Sequence, residues 1–158
     1  MSNTREVAFQ DQIPGNHCFG CGPDNEGGLR IKSYWSGEDE AECRFLAQPH
    51  HNAGPVGYLN GGIISTLIDC HAINTALAKA YQLAGREMGT GEQLWCVTGS
   101  LEVRFENPVP IDREVLLIAR IEKLDGRKTH LRCDLSSDGV VCARGSVLSI
   151  QVRPGWFG

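Results

Sequence analysis

The chain has 158 residues, one domain's worth at the usual ~150 residues per domain. Hydrophobic residues make up 41% and charged residues 22%, and the longest apolar runs fall far short of the ~18 residues of a membrane span, which argues against a membrane protein. Fifteen Lys+Arg against nineteen Asp+Glu give a net charge of −4, which argues against a polyanion binder, since that needs a large basic surface.

The first element in chain order is an irregular, polar, Gly/Pro-punctuated segment, 1–27, of a single domain spanning 1–158. Its opening residues, MSNTREVAFQ, hold no apolar stretch of signal-peptide type. With an odd cysteine count of seven, this points to reduced thiols and a cytoplasmic location. The segment contains His17-Cys18-Phe19-Gly20-Cys21-Gly22, a C-x-x-C. A zinc knuckle would need a second ligand pair at similar spacing, and His50-His51, the one candidate, is wrongly spaced. A redox C-x-x-C should open a helix, whereas GPDNEGG reads as loop. The expectation is therefore a structural loop without metal, with a metal or redox module on Cys18/Cys21 as the alternative.

Residues 29–35 and 39–46 alternate apolar and polar around Ser36-Gly37-Glu38 and predict a hairpin. Residues 47–62, with two Pro and four Gly, predict a long loop, and loops beyond ~12 residues in compact domains are often functional. Residues 62–84 predict one long helix, apolar over much of its circumference and therefore buried, with Gly85 as its stop. Strands are predicted at 93–106, ended by Asn107-Pro108-Val109-Pro110, and at 113–124. Two more follow at 128–136 and 140–152, with turns at Asp125-Gly126 and Asp138-Gly139. Cys43, Cys96, Cys133 and Cys142 fall inside strand runs, as small buried hydrophobes do. The order predicts an α+β domain, an antiparallel β-sheet around one long central helix. The last connections are too short for crossover helices.

Between Gly61 and Ala78 the one formally charged residue is Asp69. A carboxylate in an apolar helix is costly unless paired, so Asp69 either caps neighbouring structure or works as a catalytic group with a tuned pKa. Asn60-Gly61-Gly62 opens the same helix. Paired glycines let a ligand approach the backbone, and first-turn N–H groups suit an anion or a developing oxyanion. Gly62 precedes Asp69 by two turns, ~10 Å along the axis, so a carbonyl between them would meet donor and base together. Ser65 lies one turn before Asp69 on the same face and is a candidate hydrogen-bond partner. His71 should face elsewhere, as a satisfied core or interface histidine. No G-x-S-x-G elbow, P-loop or dinucleotide fingerprint is present.

Asn60-Gly61-Gly62-Ile63 followed by Asp69 resembles the HGG-x(6)-D signature of hotdog-fold acyl-CoA thioesterases, of the phenylacetate-pathway (PaaI-like) and THEM types. The resemblance covers most of the chain, including Cys18–Pro23, Gly27-Gly28-Leu29 and Thr98…Pro110. It implies a thioester hydrolase with Asp69 as general base or nucleophile and the Gly62 N–H as oxyanion donor. Thr98 would reach the site from a partner subunit. The implied assembly is a dimer or dimer of dimers with sites at subunit interfaces. Neither metal nor cofactor is implied beyond the coenzyme A of the substrate, and neither nucleic acid nor membrane as partner. Arg127 and Lys128 resemble basic residues that meet coenzyme A phosphates. The family histidine is Asn60 here, which offers an amide but no transferable proton. Asn60 is expected to position the loop or the carbonyl, and His50 or His51 is a candidate to swing in. The alternatives are a hotdog protein that binds acyl-CoA without cleaving it and, ranked lower, a hydratase of the same fold.

Overall fold

Asp138 and Gly139, at φ +49° and +77°, form a two-residue turn of the type I′ kind, whose twist matches the flanking strands. It joins β5 (Lys128–Ser137) to β6 (Val140–Gln151). The preceding turn sits one residue later than the sequence suggests: β4 (Val115–Asp125) runs through Asp125, and Gly126, at φ +59°, starts the turn. With β1 (Ser33–Trp35), β2 (Glu40–Phe45) and β3 (Cys96–Phe105), these strands build one antiparallel six-stranded sheet in the order β1-β2-β4-β5-β6-β3. The molecule is seen here as a computed structural model describing residues 6–157. Residues 1–5, part of the expected irregular segment and of the stretch expected to hold no signal peptide, lie outside the described residues.

The first strand is shorter than its alternation suggests. Leu29 and Ile31 spend their backbone N–H groups on the N-terminal loop instead, Leu29 to Phe19 O at 2.7 Å and Ile31 to Gly20 O at 3.2 Å. That exchange ties the C-x-x-C loop to the sheet edge.

The helix α1 (Gly61–Leu83) packs across one face of the sheet. Leu67, Ile68, Ala72 and Ala76 meet Leu117, Leu131, Cys133, Leu135 and Ala143, all at most 2% exposed. Helix and sheet approach closely at Gly145, where a methyl group would overlap Ile68 Cγ2. The helix ends as its sequence predicts. Gly85, at φ +69°, donates to Gln82 O and Arg86 to Tyr81 O, the paired bonds of a Schellman stop.

His71 is fully buried on the sheet side of α1. Its Nε2–H donates to Ala41 O at 3.0 Å, and its Nδ1 accepts from Ser33 Oγ at 2.8 Å. Ser33 Oγ in turn accepts from Gln10 Nε2 at 2.8 Å. This is the satisfied core histidine expected of it, and burial lowers its pKa to about 4. Among the described residues, no helix is long and apolar enough to cross a membrane.

Candidate functional site

Asp69, Ile73 and Leu77 recur every fourth residue, so they form one stripe along α1. The stripe floors a pocket of about 290 Å³ walled by Trp95, just before β3, and by Val97 and Thr98 at its start. Thr98 Oγ1 donates to Asp69 Oδ1 at 2.7 Å. A bulge makes this contact. Thr98 pairs with Ser149 but Ser100 with Leu148, leaving Gly99 as the extra residue, and a bulge re-aims the side chains beside it. Burial pushes the Asp69 pKa up, partly offset by the Thr98 bond. Thr98 thus reaches Asp69 from the same chain, not from a partner as the resemblance implied. A larger groove of about 590 Å³ lies at the far end of α1, beside Tyr81 and Arg86, away from Asp69.

The helix start does not match the expected oxyanion site. Asn60 is the N-cap, and its Oδ1 accepts from Gly62 N–H at 2.8 Å and Ile63 N–H at 3.1 Å. The Gly62 donor is therefore taken, and the first-turn donor left over is the N–H of Gly61. This also gives Asn60 a local reason, since Asn is among the best N-cap residues. Gly61 and Asp69 are eight residues apart, about 12 Å along the axis. An oxyanion donor sits ~3 Å from the oxygen and an attacking group ~3–3.5 Å from the carbon. One carbonyl therefore does not span both groups of the same chain, contrary to the expectation from spacing. Gly61 instead lines a separate groove with Tyr58 and Phe105.

The remaining candidates are also held elsewhere. Ser65 Oγ donates to Gly61 O at 3.0 Å, a bond back along the helix rather than to Asp69. His51 Nδ1 accepts from the Gln48 N–H at 3.0 Å, its carbonyl accepts from the Asn60 N–H at 3.0 Å, and its ring stacks on Phe45. It braces the loop before the helix instead of swinging in. Arg127 donates to Gln151 O at 3.1 Å. Lys128 is exposed beside the inward-facing, buried Thr129 and so points to the opposite face of the sheet. Neither basic residue lines the Asp69 pocket.

Sequence reasoning missed Cys70 and Gly99. Glycine inside a strand pattern was a readable bulge signal; Cys70 had none. Its sulfur lies 3.8 Å from that of Cys18, and the sulfurs of Cys18, Cys21 and Cys70 all fall within 4.8 Å of one another. The Cys21 and Cys70 thiols, helped by the backbone N–H groups of Cys21 and Gly20, hold the Cys18 pKa far below the usual thiol range, while Cys70 is pushed up.

No family model matches the chain. Acyl-coenzyme A thioesterase THEM4 of Xenopus laevis is 31% identical over 123 residues, which cover 77% of this chain and 49% of that protein. Acyl-coenzyme A thioesterase THEM5 of Homo sapiens is 26% identical over 102 residues, covering 63% of this chain and 36% of that protein. The chain spans about half the length, or less, of these curated relatives. Among solved structures, a thioesterase superfamily protein from Shewanella loihica superposes with a TM-score of 0.63 at 29% identity, covering 78% of this chain and 91% of its own. The long helix on a six-stranded antiparallel sheet, the Asn-Gly-Gly helix start with its downstream Asp69, and these matches agree, and the chain belongs to the hotdog-fold thioesterase superfamily.

Proposed function

We propose that the chain hydrolyses an acyl-CoA thioester, with Asp69 as the general base. The observation that carries this is a carboxylate at the head of an apolar stripe, with one oxygen tied to Thr98 and the other left to work. In this reading Asp69 Oδ2 takes a proton from water, the water oxygen attacks the carbonyl carbon, and the C–S bond breaks to release the thiolate. Burial that raises the carboxylate pKa makes it a stronger base near neutral pH. Ile73 and Leu77, running away from Asp69 for about 12 Å, suit an apolar acyl group. Direct attack by Asp69 to give an anhydride uses the same geometry.

The oxyanion donor comes from a second copy in this reading. β3 is an edge strand with Leu101 and Phe105 38% and 54% exposed, a surface suited to pairing with itself. Its start carries Thr98 against Asp69, and Phe105 at its end lies against Gly61. Antiparallel pairing of two copies of β3 sets the start of one beside the end of the other. The N–H of Gly61 of the partner subunit then approaches the first chain's Asp69.

The test is release of free CoA thiol from a panel of acyl-CoAs. Asp69→Asn should cost ~10²–10⁴-fold in kcat, and Thr98→Ala about 10-fold, the scale of one lost hydrogen bond. Wild-type protein that cleaves none of the panel, or an Asp69→Asn variant that matches it, overturns the reading. The Asn60 cap on Gly62 favours a second reading, binding without cleavage. Saturable binding of an acyl-CoA with no CoA release would establish it.

A further inference from the structure

The thiols of Cys18, Cys21 and Cys70 have no part in the proposed chemistry, yet the fold gathers them at the wall of the Asp69 pocket. Cys18 and Cys21 come from the N-terminal loop and Cys70 from α1, 52 positions after Cys18. A zinc ion bound to thiolates at about 2.3 Å in tetrahedral geometry holds its sulfurs about 3.8 Å apart. The Cys18–Cys70 separation is 3.8 Å, far from the ~2.05 Å of a disulfide.

The surroundings are built to the same end. Gly20 lies where any side chain would overlap the Cys70 sulfur, and Gly22 where one would overlap the Cys18 backbone nitrogen. Asn16 Oδ1 accepts from the Cys18 N–H at 3.0 Å, and its Nδ2 donates to Cys21 Sγ at 3.6 Å. Outer donors of this kind orient metal ligands and offset thiolate charge. The loop is further pinned by Gly22 N–H to Cys18 O at 2.8 Å and by Leu29 and Ile31. Cys21 and Cys70 are 7% exposed, while Cys18 is exposed and gives an ion its way in.

We propose that Cys18, Cys21 and Cys70 bind one zinc ion, whose fourth position, filled by water, opens toward the Asp69 pocket. Three sulfur ligands favour zinc over the hard cations, and three protein ligands with an open place differ from the four of a closed structural site. Binding releases the thiol protons to solvent and leaves a zinc trithiolate of one net negative charge. The ion would staple the N-terminal loop to α1 and fix one wall of the pocket. This stands whether or not the pocket hydrolyses thioesters, because its test reads metal and not turnover.

The protein is reduced, stripped with chelator and titrated with Zn²⁺ against a chromophoric competitor. Uptake of about one zinc per chain is expected, falling to roughly a tenth or less in Cys18→Ser and in Cys21→Ser. Cys96→Ser, altered at another cysteine of the same pocket, should keep full uptake. Cobalt(II) added to the wild-type protein should give a sulfur-to-metal charge-transfer band with the intense visible bands of a tetrahedral site. That spectrum reads the ligands even where a serine variant fails to fold. No uptake by the folded wild type, uptake unchanged in Cys18→Ser, or a cobalt spectrum without the sulfur band each overturns the proposal.

Discussion

Asn60 separates a stabilising role from a chemical one. Its Oδ1 caps two first-turn N–H groups, at 2.8 and 3.1 Å, at an exposed helix end. In Asn60→Ala both donors revert to water, so the loss is on the scale of an N-cap, about 1 kcal/mol within a range of ~0.5–2. For a domain of this size that lowers Tm by roughly 2–4 °C. Asn60→Asp keeps the acceptor and adds a negative charge at the positive end of α1, for an expected gain of ~0.3–1 kcal/mol. If the neighbouring Gly61 N–H serves the oxyanion, that same charge opposes it. At ~6 Å and an effective dielectric of ~20, the repulsion is about 3 kcal/mol, on the order of 100-fold in kcat. Thermal unfolding followed by circular dichroism, with CoA release measured at 25 °C, reads both effects. The expected pattern is a less stable, active Asn60→Ala and a stable, slow Asn60→Asp. An Asn60→Ala variant that melts with the wild type, or an Asn60→Asp variant that melts below Asn60→Ala, refutes the capping account. An Asn60→Asp variant at full turnover refutes the use of Gly61.

Two further predictions concern the core. His71 is held neutral, with its pKa lowered from 6.5 to about 4 by burial, so between those values the unfolded chain binds the extra proton. Its stabilisation is complete above pH 6.5 and is lost as pH falls toward 4, by roughly 3 kcal/mol at ~1.36 kcal/mol per pH unit. Urea midpoints at neutral and acid pH should therefore separate more for wild type than for His71→Gln; an equal separation would remove the histidine from the account. Gly145→Ala drives a methyl group into Ile68 Cγ2 and should cost ~1–3 kcal/mol by overpacking. Adding Ile68→Ala should cost less than the two single effects summed, and strict additivity in the melts would show that the two residues do not touch.

What the sequence reveals about this molecule follows the range of the forces involved. Asp138-Gly139 announces its hairpin because both residues must accept φ > 0, and the lone carboxylate at Asp69 announces a wet or working face because burying it is costly. These are local constraints written on adjacent residues. The shortened first strand is different. Leu29 and Ile31 alternate correctly, yet their N–H groups go to Phe19 and Gly20, partners that no periodicity names. The hydrogen bond from the Gly62 N–H to Asn60 is local too, since Asn is among the best N-cap residues and its Oδ1 takes that donor.

Cys70 marks the limit of that legibility. Nothing in its neighbourhood distinguishes it from Cys43 or Cys133, which are buried among apolar side chains as small hydrophobes. Its partners sit on a loop that Leu29 and Ile31 hold against the sheet edge, and Gly20 leaves room there for its sulfur. The thiol cluster is thus a product of the same backbone exchange that shortens the strand. Displacing that loop would open the Asp69 pocket on the side of Cys18 and Cys21, so anything that binds the three sulfurs acts on the shape of that pocket.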